Sequence, residues 1–252
     1  MPDAAVIAQL RDALGAIQGD GHRRREHLPF GVEGIDSRLA DGGLRLDALH
    51  EVAAATAHPG DDASATLFLA GIAARAWGPV LWVVRRRDLF APGLYQAGLA
   101  PHRVLYAEAA DDAELLALME EGLRHRCLGA VIGEAKRAAT ASTRRLQLAA
   151  EGGRTIALLL KRHARAEADP FAVPSAAVTR WRVASAPSAP IPTAGLGRSR
   201  WNLSCVRQRG GDAFTLLVDA CDETGRLALP AAVVDRTRAQ GRPASRSSRA
   251  AA

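Results

Sequence analysis

The sequence predicts an α/β fold: a mostly parallel sheet flanked by helices, with an N-terminal helix on a linker and antiparallel strands in the C-terminal part. Three observations carry this expectation. Continuous apolar runs, "VLWVV", "LGAVIGE" and "TIALLLKRH", lack the alternation of a half-wet strand, so each suits a strand covered on both faces. These runs alternate with helix-periodic segments at βαβ spacing. From about Ala176 the pattern turns to apolar–polar alternation, which antiparallel strands with one solvated face require.

The elements follow in order. Residues 1–20 read as a helix whose Val6, Ile7, Leu10, Leu14 and Ile17 share one stripe, with Asp3 available as a cap. An outlying helix of this kind either packs on its own core or docks on another subunit, and both readings stand. Residues 21–28 form a basic linker within "GDGHRRREHLPFG". A core over 29–236 follows, and a basic tail, 237–252, has nothing to bury and is expected to be disordered.

Inside the core, "VEGIDSRLADGGLRLDALHEVAAA" reads as a short helix, a Gly42-Gly43 turn and a strand ending near Ala54. "SATLFLAGIAARAW" is a helix with Leu67, Ala70, Ala74 and Trp77 on its inner face, stopped by Gly78-Pro79. "VLWVV" and "RVLYAEA" are both expected to be strands buried on two faces. Asp111-Asp112 cap the helix "AELLALMEEGLRHR". Ser142 to Glu151 is the next helix, closed at Gly152-Gly153. In the distal part, "AVTRWRVASA" and "SRWNLSCVRQRGGDAFTLLVDACDETGRL" supply the antiparallel strands, with Gly210-Gly211 as the hairpin turn. The Pro-rich "APSAPIPTAGLG" between them is an extended connection.

Composition narrows the function. Of 252 residues, 48% are hydrophobic but only 4% aromatic, so the core must be built from Ala, Leu and Val. The net charge of +6 is carried almost wholly by Arg, because Lys136 and Lys161 are the only lysines. That balance suits either an acidic partner or a solvated surface. Cys127, Cys205 and Cys221 are too far apart for a ligand cluster, so neither a zinc site nor a disulfide framework is expected. The N-terminus lacks a signal-peptide pattern and no apolar run reaches the length of a membrane span. A cytoplasmic location and no membrane partner are the expectation.

The stretch from Glu51 to Gly71, "EVAAATAHPGDDASATLFLAG", has the strand, loop and helix of a phosphate-binding site. A working loop reads GxxxxGK[ST]: backbone amides close on the phosphates, Lys reaches them and the hydroxyl holds magnesium. If the helix starts at Ala65-Thr66-Leu67, Ser64 falls where Lys belongs, and Thr66 is the nearby hydroxyl. Asp61 and Asp62, beside Gly60, would repel a polyphosphate while serving well as helix caps. His58, Asp61 and Asp62 could be imagined around a metal, although three such residues in a loop more often serve solvation. Ser64, Ser142 and Ser204 lack the GxSxG setting of a nucleophile. No catalytic residue, cofactor or metal is expected.

"LPFGVEGIDSRLADGGLRLDALHEV" resembles the opening of the RecA core. Together with "LGAVIGEAKR", "TASTRRLQLAAE" and the distal "VTRWRVASAPSAPIPTAGLGRSRWNLSCVRQRGG", the chain from about Pro29 to Arg236 resembles the ImuA family. These are bacterial RecA-like proteins encoded with ImuB, an inactive relative of Y-family polymerases, and an error-prone DnaE-type polymerase. The resemblance implies a RecA-like fold and a role in SOS-induced mutagenic translesion synthesis. It implies ImuB and RecA as partners, with the DnaE-type polymerase a further candidate, and a nucleoid location when engaged. RecA-like ATPases carry a catalytic Glu just beyond the second core strand; here that position falls on or beside Arg86, which cannot act as a base. Asp88 lies a residue or two away, and Glu134 matches the acidic residue that holds magnesium through water.

The loops after the corresponding strands face DNA in RecA-like proteins. Here they carry Arg85, Arg86, Arg87, Arg137, Arg144, Arg145, Lys161 and Arg162, a weak and nonspecific phosphate-contacting surface or an ordinary solvated one. Val6, Ile7, Leu10 and Leu14 would form the docking face of a RecA-like polymerisation arm. The leading expectation is a non-catalytic adaptor. A DNA-dependent ATPase with a divergent site and a SulA-like cell-division inhibitor are the alternatives.

Overall fold

The computed structural model describes residues 26–188, 191 and 194–230. The helix expected to carry Val6, Ile7, Leu10 and Leu14, and the basic tail, lie outside the described residues. In chain order the elements are β1 (His27–Leu28), α1 (Glu33–Asp36), β2 (Leu44–Arg45), β3 (Leu49–Ala54) and α2 (Pro59–Arg75). Then come β4 (Val80–Val84), α3 (Ala91–Gln96), a 3-10 turn (Pro101–Arg103), β5 (Val104–Glu108) and α4 (Asp112–Arg124). β6 (Ala130–Ala135), α5 (Thr140–Ala150), β7 (Ile156–Lys161), β8 (Thr179–Ala186), β9 (Arg200–Gln208) and β10 (Phe214–Asp219) complete them.

The large sheet has the order β10-β9-β8-β3-β7-β6-β4-β5. Its strands from β8 to β5 are parallel, while β9 and β10 turn antiparallel onto β8. β3, β6 and β7 are buried along their whole length, as continuous apolar strands in a two-sided sheet must be. Phe68, Leu69 and Ile72 of α2 pack on one face with Val52, Trp82 and Leu158. Leu115 and Met119 of α4 and Leu146 of α5 cover the other face with Val83, Val131 and Leu159. Gly133 makes the second packing possible, because a Cβ there would lie 2.2 Å from Met119 Sδ. The few aromatics gather where α2 meets the antiparallel strands: Phe30 stacks on Phe68 at 5.9 Å, and Trp181 meets Phe30 and Phe214 edge-on.

Gly210 adopts φ +84° in the β9–β10 turn, and Gly152 φ +71° just after α5, as their sequence contexts predict. Four features differ from the sequence reading. Helix α2 begins at Pro59, not near Ala65, because His58 caps it and Pro59 fits its first turn. Trp77 is 90% exposed rather than on the inner face of α2, because the helix ends at Arg75 and Ala76 is already extended. β5 is the sheet edge, so Leu105 and Tyr106 are each 53% exposed rather than buried on two faces. The small β1–β2 sheet and helix α3 were not anticipated.

Candidate functional site

The parallel strands deliver their C-terminal ends to one crevice, where open α/β sheets place their ligands. Loops after β3, β4, β6 and β7 enclose a cavity of about 730 Å³, bounded by residues that include Asp62, Thr66, Arg86, Glu134 and Arg162. Its construction begins with the turn between β3 and α2. β3 ends at Ala54 and α2 begins at Pro59, which leaves four linking residues. Neither these four residues nor helix α2 contains a lysine that could take the Lys role of GxxxxGK[ST]. Because α2 begins at Pro59 and not at Ala65, Ser64 does not stand at the loop–helix junction where the Lys belongs. Ser64 sits inside the helix, its hydroxyl donating to Gly60 O at 2.8 Å.

The donors that would cradle a phosphate are already engaged. Pro59 has no amide hydrogen. Gly60 N donates to His58 Nδ1 at 3.1 Å, and the amides of Asp61 and Asp62 both donate to His58 O. The Asp61 carboxylate receives Thr56 Oγ1 at 2.6 Å, Ser185 N at 2.8 Å and Ser185 Oγ at 2.7 Å. Burial opposes ionisation of Asp61, but these hydrogen bonds outweigh it and hold the carboxyl below the ordinary carboxylate range. Asp61 thus ties the start of α2 to the end of β8, a structural use of a residue expected to line a nucleotide loop.

Across the crevice, Glu134 is the penultimate residue of β6 and is buried. Trp82 Nε1 donates to its Oε1 at 2.8 Å, and Arg162 Nε and Nη2 donate to its Oε2 at 3.1 and 2.8 Å. The same guanidinium reaches Asp62 Oδ2 at 3.2 Å and Thr66 Oγ1 at 3.3 Å. Burial disfavours the Arg162 cation, yet Glu134 and Asp62 more than offset this and raise its pKa further. A side-chain cation therefore neutralises the carboxylates that a bound metal would meet in an active site of this layout. Arg162 was expected on a DNA-facing loop; the structure draws it into the crevice. His58 and Asp61 are turned to other partners, and among the described residues no three His, Cys, Asp or Glu side chains converge as a metal site.

The remaining cations divide by position. Lys161, expected to face DNA, is only 4% exposed. Burial lowers its pKa and Arg180 adds to this, while Glu51 partly compensates. A side chain so enclosed cannot reach a phosphate backbone. Arg85 lies 3.4 Å from Asp112, Arg87 pairs with Glu108, and Arg145 lies 3.3 Å from Glu120. Arg86, Arg137 and Arg144 are exposed. Asp88 is also exposed and lines the crevice beside Arg86.

Sequence reasoning missed a buried polar chain next to the loop. His50 Nε2 faces Arg45 O at 2.9 Å, which fixes it as the donor, so Nδ1 accepts from Thr179 Oγ1 at 2.8 Å. Trp181 Nε1 in turn donates to Thr179 Oγ1 at 2.7 Å. Beside it, Glu51 Oε2 lies 2.8 Å from Arg180 Nε in an ion pair, while Arg180 also donates to Phe171 O and Val173 O. The signal was present: two polar residues, His50 and Glu51, inside an otherwise apolar strand demand buried partners.

No family model matches the chain. It is similar to Protein ImuA of Caulobacter vibrioides, in both strain NA1000 / CB15N and strain ATCC 19089 / CIP 103742 / CB 15. In each case identity is 39% over 193 residues, spanning 73% of this chain and 79% of the relative. The crystal structure of the RadB recombinase aligns with a TM-score of 0.55 at 15% identity, covering 81% of this chain and 99% of that one. At that identity the likeness speaks for the fold, which is RecA-like.

Proposed function

The chain belongs to the ImuA family, and from that premise we propose that it is a non-catalytic RecA-like adaptor in SOS-induced mutagenic translesion synthesis. The observation that carries the non-catalytic reading is the internal occupation of the crevice. The turn after β3 and helix α2 contain no lysine, and Arg162 is committed to Glu134 and Asp62. Without the Lys, an anionic phosphate would meet Asp62 at a helix start whose amides already donate within the protein. Arg86, near the position of the catalytic base, is a guanidinium and has no acceptor with which to activate water.

As an adaptor it would hold an ImuB-like polymerase relative and RecA, with the error-prone DnaE-type polymerase a further partner. Exposed Arg137 and Arg144 would add weak, nonspecific attraction to DNA near the nucleoid. Among the described residues no helix is long and apolar enough to cross a membrane.

Calorimetry with ATP, with and without single-stranded DNA, is the direct test. No measurable heat is expected, whereas micromolar affinity would favour the DNA-dependent ATPase instead. Capture of ImuB-like and RecA partners by intact protein tests the adaptor role itself. Replacing Leu10 and Leu14 with charged residues is expected to abolish that capture while the core stays folded; an unfolded core would assign the helix to the core instead.

A further inference from the structure

A second cavity of about 430 Å³ adjoins the crevice, and the two share Arg86 and Leu89 as a common wall. The second runs from Val84 and Ala91 to Tyr106 on the edge strand β5. We propose that the two cavities form one groove that receives an extended, acidic peptide segment of a partner protein, carrying apolar anchors. This inference rests on the adaptor reading and gives its partner a chemistry.

The groove has the two ingredients such a peptide needs. Its apolar surface comes from Leu67, Leu89 and Leu94 in the larger cavity and from Val84, Ala91 and Tyr106 in the smaller. Phe90 at the rim is 71% exposed, in a protein that buries most of its few aromatics. Exposed aromatics beside Arg side chains are the groups that dominate protein recognition energetics.

Its net charge is positive once the internal pairs are set aside. Arg162 satisfies Glu134 and Asp62, Arg87 satisfies Glu108, and Arg85 is held by Asp112. Among the described residues, Arg86 and Lys136 line the groove without an ion-pair partner, against Asp88 as the one unpaired carboxylate. Positive charge over an apolar floor selects an acidic chain with aliphatic or aromatic anchors. A nucleotide is the poorer occupant, because the amides at the start of α2 already donate within the protein.

The test uses the full chain and fluorescence anisotropy of a fluorescein-labelled acidic peptide with two leucine anchors. Saturable binding is expected, and it is expected to weaken at least about tenfold when the anchors become serine or the acids become lysine. Arg86→Glu, Lys136→Glu and Tyr106→Ser should each weaken it by a similar factor, with unchanged thermal melting because all three side chains are exposed. Binding that ignores these variants or the anchors overturns the proposal, as does displacement of the peptide by ATP or by an oligothymidine. If the intact protein binds the peptide but captures neither ImuB-like protein nor RecA, the adaptor reading falls and the groove stands. If it captures both and the groove variants do so equally well, the groove falls and the adaptor reading stands.

Discussion

Arg162 and Glu134 meet at 2.8 Å on the floor of the crevice, and the same guanidinium spans 3.2 Å to Asp62. A cation from the end of β7 thereby joins the end of β6 to the first turn of α2. The crevice is held together from within, so its order does not depend on a ligand.

Removing that cation should be costly. Arg162→Ala leaves the buried Glu134 carboxylate with Trp82 as its remaining hydrogen-bond partner, and a loss of roughly 2–4 kcal/mol is expected. Arg162→Lys should recover part of it, because one ammonium cannot reach Glu134, Asp62 and Thr66 together. Urea denaturation of the three proteins at neutral pH measures both effects.

Asp61 offers a pH-dependent test. Asp61→Ala removes the acceptor for Thr56 and Ser185, and about 2–3 kcal/mol of destabilisation at neutral pH is expected. The folded carboxyl titrates below its ordinary 3.8, so its contribution is complete above that value and disappears as pH falls through the lower, folded pKa. The stability gap between wild type and variant should therefore narrow in strong acid. A gap that stays constant down to that range would show that the charge contributes nothing.

His50 acts in the same direction, over a higher range of pH. Burial, the largest influence, lowers its pKa from 6.5 to about 4, so the folded protein keeps the ring neutral while the unfolded chain protonates it. The unfolded state then binds more protons between those values, and stability falls as pH drops. The integrated loss from pH 6.5 to pH 4 is on the order of 3 kcal/mol. His50→Gln should be less stable at neutral pH yet should lose this part of the slope, which urea melts across the range would reveal.

Trp77 is exposed while Trp82, Trp181 and Trp201 are fully buried. Trp77→Phe should abolish most acrylamide-quenchable tryptophan fluorescence and change stability by less than about 0.5 kcal/mol. Persistent strong quenching in the variant would show that the buried cluster opens.

Much of the architecture was legible because burial writes itself into periodicity. "VLWVV" and "TIALLLKRH" lack alternation, and β4 and β7 are interior strands. "RVLYAEA" has the same look but forms the edge, since one strand's composition does not say whether a neighbour lies beyond it. The start of α2 was displaced for a local reason. His58, Pro59 and the acidic pair form a complete helix start, whereas apolar periodicity alone puts the start at the run behind them.

By itself, the sequence determined the βαβ alternation, the antiparallel end of the sheet, the missing Lys and the acidic character of the loop, because each depends on residue type and local spacing. Tertiary structure alone decided where the charges go. Arg162 and Lys161 are neighbours in sequence, and successive side chains at the end of a strand leave on opposite sides. One therefore turns into the crevice to meet Glu134 and Asp62, and the other is buried near Glu51 and Arg180. Their partners are far away along the chain, so no local pattern could assign them.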